Sequence, residues 1–212
     1  MLEKIFDQDN GFMRVMETAC DLILLNMLTL CFCIPVVTSG AALTALNDVV
    51  WHRIRNEETY IVKGFIRSFR ANLKKGIAFG VFLLLVAGIF AVDYLAAGEW
   101  FPVLRVLVIV AAVCMLGIVV YVFALLSRYE NTLANTVKNA ALLAVGYFPR
   151  TVLMVAVILL YVAGMFCFLR YTVPVILLFG VSLPCYLCGL VYNGVFEAMD
   201  SRSEGKKHHY SI

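Results

Sequence analysis

The chain has 212 residues, 63% of them hydrophobic and 15% charged, with a mean hydropathy of +0.92. Soluble domains run at about 45–50% apolar and about 25% charged residues, so this composition excludes a water-soluble domain and makes lipid the solvent. The net charge is only +3; no nucleic-acid partner is expected, and the placement of the cations carries more information than their sum.

Residues 1–17 carry Glu3, Asp7, Asp9 and Glu17 against Lys4 and Arg14. A secretory signal peptide has a positive region before its apolar core, so the first apolar segment is expected to be retained. That segment, residues 20–37, holds a single charge, Asp21, and a single amide in mid-segment, Asn26. Glu17 and Asp21 are four apart and share a helix face. An ionisable group inside a span is a functional candidate; hydration of Asp21 at the outer interface is the plainer alternative.

Pro35 then interrupts the run, followed by Thr38, Ser39 and Gly40. Proline removes a backbone donor and collides with the preceding turn, so the stretch predicts helix, break, helix. Ser39 is expected to cap a new helix running from about Gly40 to about Arg55. Irregular backbone at membrane depth must be buried in protein or line a wet cavity, and broken helices often build transporter sites. The simpler expectation is that the span turns there into a cytoplasmic surface helix.

Residues 47–76 form a basic connection with Arg53, Arg55, Lys63, Arg67, Arg70, Lys74 and Lys75. Phe65 and Phe69, four apart among Arg67, Arg70 and Lys74, suit a helix lying in the interface over anionic headgroups or docking on a cytosolic partner. Asn72 precedes Lys74 as Asn135 precedes Lys138, so the segment beginning at Arg128 repeats the pattern. Gly76 and Gly80 offer a close-packing face.

Four further segments are long enough to span, since about 20 apolar residues suffice: 77–97, 101–126, 151–169 and 173–196. Asp93 and Arg105 sit near ends that a short connection brings together, where they either pair or reach the headgroups. Pro174 and Pro184 are expected to bend or limit the last span. The segments are too long and too little alternating for barrel strands. The reading is therefore all-α: one polytopic helical membrane bundle over 1–212, with five spans, a broken first helix, amphipathic cytoplasmic connecting helices and a cytoplasmic tail over 197–212.

Thirteen Lys and Arg fall on one side of such a bundle and four on the other. Cytoplasmic connections carry the excess, which places the N-terminus outside and the C-terminus inside. Were residues 36–51 a sixth, short span, both termini would be cytoplasmic with the same thirteen charges inside.

The seven cysteines all lie in apolar runs, and Cys31, Cys33, Cys185 and Cys188 read as small apolar side chains rather than a metal or redox set. No phosphate-cradling glycine loop, paired acids within a span, or nucleophile signature is present. Neither a cofactor nor an enzymatic activity is expected.

The run Ala19 to Asn26, followed by Pro35 to Ala42 and Ala45-Leu46, resembles the N-terminal signature of the YesL-like bacterial membrane proteins, though members often carry Ile or Leu where this chain has Ser39. The Phe65, Ser68, Phe69 and Asn72 block and the region of Arg128, Tyr129, Asn131 and Thr132 are similar to later blocks, so the resemblance covers most of the chain. It implies a small polytopic protein of the bacterial plasma membrane, often encoded near oligosaccharide uptake systems, in a family with no assigned activity or site residues. The function expected on this basis is a non-enzymatic accessory of a carbohydrate ABC uptake or sensing system, with importer or sensor membrane proteins as partners. The alternative is a saccharide or small-solute transporter or binding protein, for which five spans imply a homodimer.

Overall fold

The computed structural model describes residues 11–55, 57, 60–96, 102–129, 132–167 and 172–209. Expectations about residues 1–10, Glu99, Asn131 and Arg170 fall outside them. Eight α-helices occupy the described residues, which contain no strand: α1 Gly11–Cys33, α2 Ser39–Ile54, α3 Ile61–Ala96, α4 Pro102–Arg128, α5 Leu133–Gly146, α6 Phe148–Cys167, α7 Thr172–Phe179 and α8 Ser182–His209. The all-α bundle follows from the composition. In lipid every backbone group must be paired within the protein, and continuous helices do that segment by segment.

Four helices are long and apolar enough to cross a membrane, over Phe12–Cys33, Ile61–Ala96, Val103–Arg128 and Phe148–Cys167. Two expected boundaries change. The connection 47–76 is not a loop: its end is the first part of α3, which continues unbroken for 36 residues, about 54 Å at 1.5 Å per residue. The fifth segment is not one helix, since it divides at Gly180 and Val181 into α7 and α8, and α8 then continues through the expected tail to His209.

The break after α1 is where the sequence puts it. Pro35 has extended backbone (φ −75°, ψ 109°) and a single 3-10 turn, Val36–Thr38, leads into α2. Ile34, Val36 and Val37 are exposed, so the tip presents apolar side chains. Its carbonyls are covered from within: the Thr38 hydroxyl donates to Phe32 O at 2.7 Å and Pro35 O at 2.8 Å, and the Ser39 hydroxyl donates to Val36 O at 2.7 Å. Ser39 is thus the first residue of α2 and reaches backward, instead of capping a helix that starts after it.

The helix beyond the break is not a surface helix. Nine of its 16 residues are buried, among them Ala41, Ala42, Ala45, Leu46, Val49 and Val50, and it packs against α1, α3, α4 and α8. Small residues make this possible. A Cβ on Gly40 would stand 2.1 Å from Gly76 O, and one on Gly76 would stand 2.5 Å from the Cα of Ala41. The glycine face expected on α3 therefore receives α2 backbone against backbone. Where lipid is as apolar as leucine, such contact and interhelical hydrogen bonds hold helices together.

Two packed regions surround α2. On one side Leu25, Leu46, Val49 and Phe65 form a core; on the other Tyr121, Met154, Tyr192 and Phe196 form a second. Phe65 is fully buried and Phe69 partly so, with Phe32 set against both rings at 5.6 and 4.7 Å. The amphipathic helix expected around them exists, but its aromatic face packs on α1 and α2 and not on lipid or a partner.

Candidate functional site

Polar side chains expected in separate places converge around α2. Asn26 is fully buried and reaches the division between α7 and α8. Its Nδ2 donates to the carbonyls of Ile176 and Leu177, both at 2.8 Å, while its Oδ1 accepts from Val181 N at 2.9 Å and Ser182 N at 3.3 Å. One amide therefore pairs groups that helix ends leave orphaned, the carbonyls ending α7 and the N–H groups starting α8. Pro174 and Pro184 each lie in the first turn of their helix, where a missing N–H leaves no bond unmade; neither makes the break.

Asp21 does not sit alone at an outer interface. Its carboxylate forms an ion pair with Arg53 Nε at 2.8 Å, and Glu17 lies 3.7 Å from the same guanidinium. Arg53 ends α2, in the segment read as the basic connection, so the expectation that the membrane separates Asp21 from that segment is overturned. α1 and α2 form a hairpin whose tip is Pro35 to Thr38 and whose open end is this charged cluster. Beside the open end lies a groove of about 700 Å³ between α1, α2, α7 and α8, with Arg14, Glu17 and Arg53 facing Leu22, Phe179 and Tyr186.

A second, smaller pocket of about 340 Å³ is built where α2, α3 and the end of α4 meet, lined by Asp48, Arg67, Ser68, Asn72, Lys75 and Arg128 among others. It unites Arg67 and Asn72 from the first basic segment with Arg128 from the second. The Arg128 guanidinium lies over the rings of Trp51 and Phe196, at 4.3 and 4.2 Å, a cation–π arrangement that fixes its direction. Asp48 from α2 lies in this pocket with Ser68 and Arg67 of α3. His52 bridges Asp48, at 3.8 Å, and Glu57.

The remaining candidates stay apart. Arg70 and Lys74 are exposed on α3, and Asn135 and Lys138 are exposed on α5, so the similarity of the two segments does not bring Asn135 or Lys138 to the pocket. Arg105 lies over the ring of Tyr94 at 5.3 Å, next in sequence to Asp93. All seven cysteines are free thiols. The sequence marks Arg53 only as one cation of the basic connection and gives Asp48 no role, because each looks like an ordinary end-of-helix charge; only the fold-back of α2 brings them to partners.

No curated protein and no solved structure matches the chain. Residues 22–94, which run from α1 through the break and α2 to the far end of α3 and so hold Asn26, the hairpin tip, the glycine contact and all of the basic pocket except its α4 edge, match the model of a protein family of unknown function, DUF624.

Proposed function

We propose that this chain is a non-enzymatic, multi-pass protein of the bacterial plasma membrane that serves as an accessory of a carbohydrate ABC uptake or sensing system. The observation that carries the accessory role is the division of labour within α3. Its first half buries Gly64, Phe65 and Ser68 against the bundle and leaves Lys63, Arg70 and Lys74 exposed, while its second half presents Phe82, Leu85, Ile89 and Val92 outward. One unbroken helix thus joins a lipid-facing rod to a basic face suited to an acidic partner surface. The carbohydrate context rests on the YesL-like resemblance alone.

The Asp21–Arg53 pair supports a topology in which the N-terminal end of α1 shares the side of the basic segment, hence the cytoplasmic side. This is the arrangement of the six-segment alternative, with both termini inside. Photo-crosslinkers at Arg70 and Lys74 in native membranes test the role. Recovery of an importer or sensor subunit is expected, and capture of lipid alone at both positions refutes it.

A second reading, a solute-binding or transporting protein, is favoured by the groove beside the Asp21–Arg53 pair and by the divided α7–α8 helix that adjoins it, since discontinuous helices line transporter sites. Proteoliposome uptake of saccharides that is abolished by Arg53→Gln would support it; no uptake of any candidate removes it.

A further inference from the structure

We propose that the pocket between α2, α3 and the end of α4 is a binding site for a phosphate-bearing anion, supplied by the headgroup of an anionic membrane lipid. Three cations, Arg67, Lys75 and Arg128, line a hollow of about 340 Å³ with one carboxylate, Asp48, so cations outnumber acids among its described lining residues. An anion within it is attracted by all three, and charge-assisted hydrogen bonds to phosphate are among the strongest a protein makes.

Its construction argues for a site and not merely a charged rim. Arg128 is held over two rings, Trp51 and Phe196, so its guanidinium is positioned in advance and loses little freedom on binding. Ser68 and Asn72 are tied to each other, the Asn72 amide donating to Ser68 O at 3.2 Å. α2 contributes Asp48 to the lining, and the burial of that helix against its neighbours keeps Asp48 in place. Asp48 sets the selectivity: it repels a second negative group and favours a ligand with one exposed phosphate.

Position identifies the source. The lining residues Arg67 to Lys75 lie in the charged first half of α3, and from Ile77 to Val92 that helix is apolar, with Val81 and Phe82 exposed. The pocket therefore opens at the transition from polar to apolar surface, the level at which a lipid places its phosphate, and basic pockets between helices on that side are where anionic headgroups bind. This inference does not depend on the accessory role, because its ligand is a small anion and Lys75 and Arg128 are no part of the exposed docking face.

The test uses the full chain purified in neutral detergent. Trp51 lies against Arg128, so its fluorescence in a Trp100→Phe background reports occupancy. Short-chain phosphatidylglycerol should give a saturable change, and short-chain phosphatidylcholine should not. Arg67→Gln and Lys75→Gln should each weaken the phosphatidylglycerol midpoint by about tenfold, the scale of one hydrogen bond to a charged group. Arg67→Lys should recover part of the loss, and Arg70→Gln on the exposed face should change it less than about twofold.

Inorganic phosphate separates the two sources of the same chemistry. If it competes only at far higher concentration, the lipid supplies the phosphate; if it binds while phosphatidylglycerol does not, the anion site stands and its ligand is a soluble phosphate ester. Equal response to both lipids without any effect of phosphate overturns the proposal. So does a phosphatidylglycerol midpoint that is unmoved in Arg67→Gln and Lys75→Gln proteins that melt at the parent temperature.

Discussion

Replacing Asn26 with leucine keeps the side-chain volume and removes every hydrogen bond that spans the division between α7 and α8. Of the four backbone groups it serves, the Ile176 carbonyl keeps the Gly180 N–H at 2.9 Å, so the Leu177 carbonyl and the Val181 and Ser182 N–H groups lose the amide. Leaving a buried polar group unpaired costs about 1–3 kcal/mol in water-soluble proteins, while hydrogen bonds inside membrane bundles average nearer 0.6 kcal/mol. Three such losses give about 2 kcal/mol at the membrane value and about 3 kcal/mol or more at the soluble one. The expected destabilisation is thus about 2–3 kcal/mol, concentrated at one joint.

Two assays read it. Thermal or denaturant unfolding in detergent gives the global loss, and hydrogen exchange at Val181 and Ser182 gives the local one. With roughly tenfold for each 1.4 kcal/mol, exchange at those two amides should accelerate by about 30-fold or more, ahead of amides in the middle of α4. Asn26→Asp should be as harmful as leucine, because it removes both donors and adds a buried charge. A leucine variant within about 0.5 kcal/mol of the parent, with unchanged exchange at residues 181 and 182, would show that α7 and α8 hold their division without Asn26, and the account of that joint would fail.

Two other outcomes follow from the same contacts. Gly76→Ala should destabilise by about 1–3 kcal/mol, the usual range for overpacking, since its Cβ meets backbone of α2; Gly88→Ala, with nothing within 4 Å, should be neutral or slightly stabilising, and equal melting of the two would refute the close contact. Arg53→Asp sets three carboxyl groups together at the open end of the hairpin, and adding Asp21→Arg should restore more than half of the lost stability. A coupling energy of about 1 kcal/mol is expected for a pair about one-quarter exposed, and additive effects would deny the pairing.

What the residues disclosed and what they hid can be separated physically. The helical bundle, the break at Pro35 and the glycine contact were legible because each depends on local chemistry: apolar length, a missing N–H, an absent Cβ. The division at Gly180 and Val181 was not, since it lies inside an uncharged run and is completed by an amide about 150 residues away. The prolines nearest to it pointed to the wrong places, because a proline within a first turn is compatible with a helix. Phe65 and Phe69 had the spacing of a lipid-facing stripe, and periodicity alone cannot say whether lipid or another helix covers such a stripe. The fold-back of α2 was foreseen only as a short sixth span, and Arg53 gained its meaning from that geometry.

Consider finally that α3 is one uninterrupted helix of 36 residues. Each residue advances the helix by about 100°, so the compass bearing of Arg70 and Lys74 is locked to that of Phe82 and Leu85 by winding alone. Inserting one alanine after Lys75 would leave both halves chemically intact yet turn one against the other by more than a quarter of a circle. The two surfaces then behave as the ends of a single axle. A push or twist delivered to the charged end arrives at the lipid-buried end without any intervening joint to absorb it.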